Sequence, residues 1–156
     1  MINVSSCMKH NVISLPETAT VAEAAARLAD EHIGTLPIVD ARGRLVGILH
    51  IRDLLSLIMP DFIALVEDFD FVGDFGALED KAPSPHVLAQ SVTQVMERPI
   101  SVAASAGLLR AFALIDQHDL YDLPIVDEER RLVGLASRVD VGTALLATWR
   151  LSSASP

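Results

Sequence analysis

The chain has 156 residues, a formal net charge of -9, 51% hydrophobic residues and one cysteine, Cys7. That is enough apolar material for a compact core and too much for disorder. Acid in excess with no Lys/Arg cluster argues against a nucleic-acid surface, and a lone cysteine excludes an intrachain disulfide and fits a reducing, cytoplasmic setting.

Lys9 and His10 interrupt the N-terminus before any long apolar region, so no secretory leader is expected. From there VISL (12–15) reads as a short strand. TVAEAAARLADEHI reads as a helix, with Val21, Ala24, Ala25 and Leu28 at helical spacing and Thr20 with Glu23 as a capping box. LPIVD (36–40) and RLVG (44–47) read as two strands joined by a tight polar turn, and IRDLLSLI begins a second helix around Asp53. The same phrases return 87 residues later: LPIVD at 123–127, RLVG at 131–134, Ile100-Ser101 for Ile13-Ser14 and Asp140 for Asp53, with Met96 matching Met8 after a slip of one. The second helix pair is SAGLLRAFALIDQH, with Leu108, Leu109, Phe112 and Ile115 on its apolar face, and VDVGTALLATW.

The chain therefore divides into a first repeat (1–58), a connector (59–90), a second repeat (91–150) and a short tail (151–156). Each repeat runs strand, helix, strand, strand, helix. A sheet that small cannot bury both faces alone, so the expected fold is α/β (α+β), two copies packed against each other about a pseudo-twofold axis. The connector is acidic and carries Phe62, Phe69, Phe71 and Phe75, four of the five phenylalanines. Asp61 caps a predicted helix there, Pro60 breaks the helix before it, and PSP (83–85) reads as the linker proper. These phenylalanines pack on the module or its dimer mate; the sharper alternative is that residues 61–80 dock a partner protein. The LLSLIMPDFIALV stretch is broken by Pro60 and Asp61, too early for a membrane span.

The candidate chemistry lies where each repeat turns from strand to helix: GILHIRD (47–53) and GLASRVD (134–140). A carboxylate at a helix start can accept two hydrogen bonds from a ribose diol, and a hydroxyl beside free backbone N–H groups favours a phosphate oxygen. Ser137 and Asp140 supply both, and Arg138 adds a bidentate cation. Ser-x-x-Asp is equally a capping box that needs no ligand. The first copy keeps Asp53 but has His50 for the hydroxyl. The five histidines and Cys7 show no metal-ligand spacing, and no P-loop, Gly-x-Ser-x-Gly or Gly-x-Gly-x-x-Gly pattern occurs, so neither a metal site nor an enzyme is expected.

The order of elements, the LPIVD and RLVG strands and the Gly-x-x-Ser-x-x-Asp ending together resemble the cystathionine-beta-synthase-type (CBS) domain, and the tandem resembles a CBS pair or Bateman module. The resemblance implies a regulatory homodimer, non-catalytic and with no obligatory cofactor, that binds an adenosyl ligand (AMP, ADP, ATP or S-adenosylmethionine) and signals to a partner protein. It places Asp140 on the ribose and Ser137 near phosphate. The preferred cleft is bounded by Ile100, Ser101, Ser137, Arg138 and Asp140; a second is bounded by Ile13, Ser14, His50 and Asp53. The competing expectation is a ligand-free dimerisation or interaction module.

Overall fold

The computed structural model describes residues 2–59 and 82–150 in full, and the backbone of 151–153. The expected elements of the acidic connector, its phenylalanines and the break at Pro60 lie outside these residues.

Each repeat keeps the order of elements read from the sequence, but its first strand begins late, at Leu15 rather than Val12 in the first repeat. In the first, β1 (Leu15–Pro16), α1 (Val21–Glu31), β2 (Thr35–Val39), β3 (Leu45–His50) and α2 (Ile51–Leu55) follow in order. A short helix α3 (Pro85–Leu88) leads to the second, with β4 (Val102–Ala103), α4 (Leu108–Gln117), β5 (Asp122–Val126), β6 (Leu132–Ser137) and α5 (Arg138–Ser153). Two three-stranded sheets result, β1-β2-β3 and β4-β5-β6, each with one parallel and one antiparallel pair. The registers match residue for residue, down to an irregularity after Ile38 and after Ile125.

Local chemistry explains the elements. Thr20 and Glu23 close the capping box on α1, each bond 3.1 Å, and Val21, Ala24 and Leu28 turn inward. The aspartate ending LPIVD builds the hairpin turn. Asp40 Oδ1 accepts the N–H groups of Arg42 and Arg44 while Oδ2 takes Arg44 Nε at 2.8 Å, and Asp127 does the same with Glu129 and Arg131. These bonds hold both carboxyls below the usual carboxylate range, the Arg44 and Arg131 backbone N–H groups first. Two further details differ from the sequence reading. Leu109 points outward, 72% exposed, because Leu108, Ala111 and Ile115 form the inner face of α4. PSP is a helix start, with Ser84 Oγ accepting Val87 N–H at 3.3 Å and Pro85 as first helical residue.

The leading segments are exchanged. Val4, fully buried in a 3-10 turn at Val4–Ser6, belongs to the core of the second repeat beside Leu123 and Ile125, and its N–H bonds Ala106 O at 2.8 Å. Val92, in the matching turn Val92–Gln94, belongs to the core of the first beside Leu36 and Ile38, and its N–H bonds Ala19 O at 2.9 Å. The methionines that follow lie against the glycines of RLVG. A methyl group on Gly47 would collide with Met96 Sδ, and one on Gly134 with Met8 Sδ. Next along, Lys9 exchanges both backbone hydrogen bonds with Leu135, and Glu97 with Ile48. At the hairpin tips Leu45 N–H bonds Arg130 O and Leu132 N–H bonds Gly43 O, both 3.0 Å. These reciprocal pairs trace the pseudo-twofold axis.

Candidate functional site

Strand length creates the clefts. β1 reaches only Ile38 and Val39 on β2, and β4 reaches only Ile125 and Val126 on β5. The residue before each pair is a proline, Pro37 or Pro124, which has no N–H to offer a neighbouring strand. The chain ahead of β1 and β4 thus peels away, and cavities form between it and the other repeat.

One cavity, about 180 Å³, is lined by Ile100, Leu120 and Pro124 of the second repeat facing Ile48, His50 and Arg52 of the first, with Arg98 and His118 adding cationic character. The other, about 260 Å³, is lined by Lys9, Val12, Ile13, Ile33 and Thr35 facing Leu135 of the second repeat. Asp122 borders both. Thr35 Oγ1, buried on the wall of the second cavity, has no hydrogen-bond partner among the described residues. A buried orphan hydroxyl is costly, so its presence here marks a place for a ligand or water.

The sequence-expected groupings are redistributed by this geometry. Ile100 shares a cavity with His50, not with Ser137; Ile13 shares one with Leu135, which leads along β6 into Ser137. Ser14, Ser101, Asp53, Ser137, Arg138 and Asp140 are not among the residues lining either cavity. Ser137 and Asp140 cap one another. Ser137 N–H donates to Asp140 Oδ2 and Asp140 N–H to Ser137 Oγ, both 2.9 Å. Arg138 turns back onto its own repeat, donating to Asp119 Oδ1 at 3.2 Å and Leu120 O at 3.3 Å.

The first junction keeps half of that cap: His50 N–H donates to Asp53 Oδ2 at 2.8 Å. Its imidazole instead turns to Glu97, Nδ1 to Oε2 2.7 Å, and lies 3.5 Å from Asp53 Oδ2. Arg52 reaches the same carboxylate at 3.3 Å. Burial, together with the adjacent Glu97, raises the Asp53 carboxyl. For Glu97 burial pushes the same way, but hydrogen bonds from Asp53 and His50 outweigh it and the group is lowered. Sequence reading missed Glu97, whose only signal is that it follows Met96 as Lys9 follows Met8.

Among the described residues no helix is long and apolar enough to cross a membrane. The CBS domain family model matches residues 4–60 and 92–147. An uncharacterized protein of Methanocaldococcus jannaschii, MJ1404, is 27% identical over 139 residues, 88% of this chain and 30% of its own length. The first two curated relatives are several times longer: the chain spans 30% and 22% of their lengths. Among solved structures, CBSX2 in complex with AMP superposes with a TM-score of 0.71 at 24% identity, covering 95% of this chain and 98% of that one. The CBS domain pair of MJ0100, in complex with 5'-methylthioadenosine and S-adenosyl-L-methionine, superposes at 0.67 with 21% identity, covering 95% and 98%. At these identities the likeness concerns the fold.

Proposed function

The chain belongs to the CBS domain family, its two repeats forming the pair, and on that premise we propose that it is a regulatory module that binds an adenine nucleotide or S-adenosyl compound between its repeats. The observation that carries the reading is the 260 Å³ cavity with its Thr35 hydroxyl, unpartnered among the described residues. Val12, Ile13 and Ile33 give a purine apolar walls, and Lys9 gives a phosphate its counter-charge. The second-repeat junction lies at the end of the same wall. Ser137 and Asp140 then serve the ligand through atoms their mutual cap leaves over, Asp140 by its other carboxylate oxygen toward a ribose. The complexes of this fold with AMP and with S-adenosyl-L-methionine support the ligand class.

Calorimetric titration with AMP, ADP, ATP and S-adenosylmethionine tests the reading. At least one should bind, and Asp140→Ala should weaken it about tenfold or more, the loss of one charge-assisted hydrogen bond worth roughly 1.5–3 kcal/mol. Asp53→Ala should change that affinity little. Binding by none of the four, or equal affinities for Asp140→Ala and the parent, overturns it.

The second reading, an interaction module, has its own observation. Ile51, Leu55 and Met59 at and after α2, with Leu146 and Trp149 on α5, are 42–68% exposed. Such faces on one thin module favour a homodimer built on α2 and α5. Light scattering at micromolar concentration should give twice 16.8 kDa; a monomer alone would exclude it. The two readings are compatible, and docking of a partner protein by residues 61–80 remains part of the proposal.

A further inference from the structure

We infer that the first junction is a binding site for a divalent transition-metal ion, held by His50 Nδ1 and the carboxylates of Asp53 and Glu97. The three groups present one donor atom each, all within 4.8 Å of one another. An ion bonded at about 2.1 Å in tetrahedral or octahedral geometry separates its donors by roughly 3.0–3.4 Å. The His50–Asp53 distance of 3.5 Å lies just above that range, and the His50–Glu97 contact of 2.7 Å needs a small opening on the side of a glutamate that is 40% exposed.

Independent of the cluster, the imidazole is unfinished. Its side chain is 5% exposed, yet Nε2 has no hydrogen-bond partner among the described residues. An ionised Glu97 only accepts, so the ring carries its proton on Nδ1 and buries a bare Nε2; an ion taking Nδ1 displaces that proton, which the neutral ring then carries on Nε2. A fold seldom keeps such a ring for stability alone. His50, Arg52 and Glu97 also line the 180 Å³ cavity, which gives an ion a way in and room for water on its open positions. Arg52, half exposed, now neutralises Glu97 and would swing aside.

The donor set selects the class of ion. One imidazole with two carboxylates suits Zn²⁺, Co²⁺, Mn²⁺ or Ni²⁺; it lacks the all-oxygen cage of Ca²⁺ and the thiolates of Cu⁺. The twofold-related position provides an internal control. There Ser137, Asp140 and Lys9 replace His50, Asp53 and Glu97, a lysine occupying the backbone position of the second carboxylate residue. An ion at the first junction ties that repeat, through His50 and Asp53, to the segment that leads into the second, through Glu97.

Chelator-treated protein titrated with CoCl₂ tests the site by visible ligand-field absorption, and with ZnCl₂ by calorimetry and thermal shift. One Co²⁺ per chain should bind with a defined band, and Zn²⁺ should raise the melting temperature. Glu97→Gln, which keeps size and surface position, should weaken both ions about tenfold or more, a loss at least equal to that seen when only outer partners of a metal ligand are removed. His50→Gln should abolish the band. Cys7→Ser and His10→Gln, which remove other donors, should leave it intact. Circular dichroism of each variant separates loss of the site from loss of the fold. No stoichiometric binding by the parent, or binding that survives Glu97→Gln in a folded variant, overturns the proposal.

Discussion

The two strand-to-helix junctions share one backbone and carry two chemistries. Both open their helix with an aspartate that accepts the N–H three residues back, at 2.8 Å from His50 and 2.9 Å from Ser137. Both receive a backbone pair from the exchanged segment of the other repeat, Glu97 on Ile48 and Lys9 on Leu135. At the second junction a hydroxyl completes the cap and a lysine lies nearby. At the first an imidazole leaves its helix and joins two carboxylates. Duplication thus conserved what the backbone requires and released what the side chains do. The pair is two unequal sites on one frame, and an effect that differs between matched positions reports chemistry, whereas an equal effect reports fold.

The largest difference expected is one of location. Because the leading segments are exchanged, Val4→Ala should loosen the second repeat and Val92→Ala the first. Each removes part of a fully buried valine and should cost about 1.5–3 kcal/mol. Hydrogen exchange should show faster amides in α4 and β5 for the first change and in α1 and β2 for the second. Faster exchange in the residue's own sequence repeat would contradict the exchange of segments.

A smaller asymmetry is expected at the RLVG glycines. An added Cβ at either position meets a methionine, so Gly47→Ala and Gly134→Ala should each destabilise by about 1–3 kcal/mol. Gly134→Ala should be the worse, because its Cβ also meets the backbone carbonyl of Lys9 at 3.1 Å, while Met96 can yield around Gly47. Chemical denaturation of the two variants side by side checks the order. Next in size is the cap: Asp53→Ala and Asp140→Ala should each cost about 0.5–2 kcal/mol whether or not a ligand binds, read from the same melts.

How much of this was legible follows from how locally each feature is encoded. The repeat, the hairpins and the capping box on α1 are written in contiguous residues, LPIVD, RLVG and Thr20 with Glu23, and they fold as read. Leu109 was misplaced because helical spacing cannot tell which of two adjacent apolar stripes faces in; Ala111, too small to stand out, marks the inner one. The exchanged segments were not legible, since Val4 and Val92 sit in 3-10 turns without periodicity. That omission carried over to the clefts, where Ile100 was grouped with Ser137 although its cavity contains His50. A site assembled across a twofold axis is invisible to reasoning that keeps each repeat whole. The grouping with Glu97 needed the fold, since 47 residues separate it from His50.

The smallest effect concerns a feature in which the halves are equal. Asp40 and Asp127 sit in the hairpin turns with the same bonds to backbone N–H groups and to Arg44 or Arg131, and both carboxyls are lowered by them. A carboxyl whose folded pKa lies below its unfolded value, about 3.9 for aspartate, stabilises the fold at neutral pH. That contribution is present above the unfolded value and is lost as pH falls through the lower, folded one. Both turns are exposed, so the effect is small and sensitive to salt. Asp40→Asn and Asp127→Asn should therefore each lower the denaturation midpoint slightly at pH 7, and the gap to the parent should narrow as pH drops below about 3.9. The two variants should superpose across the titration. If one turn showed pH dependence and the other none, the hairpin tips would not be equivalent, and the division between a conserved frame and divergent junctions would have to be drawn elsewhere.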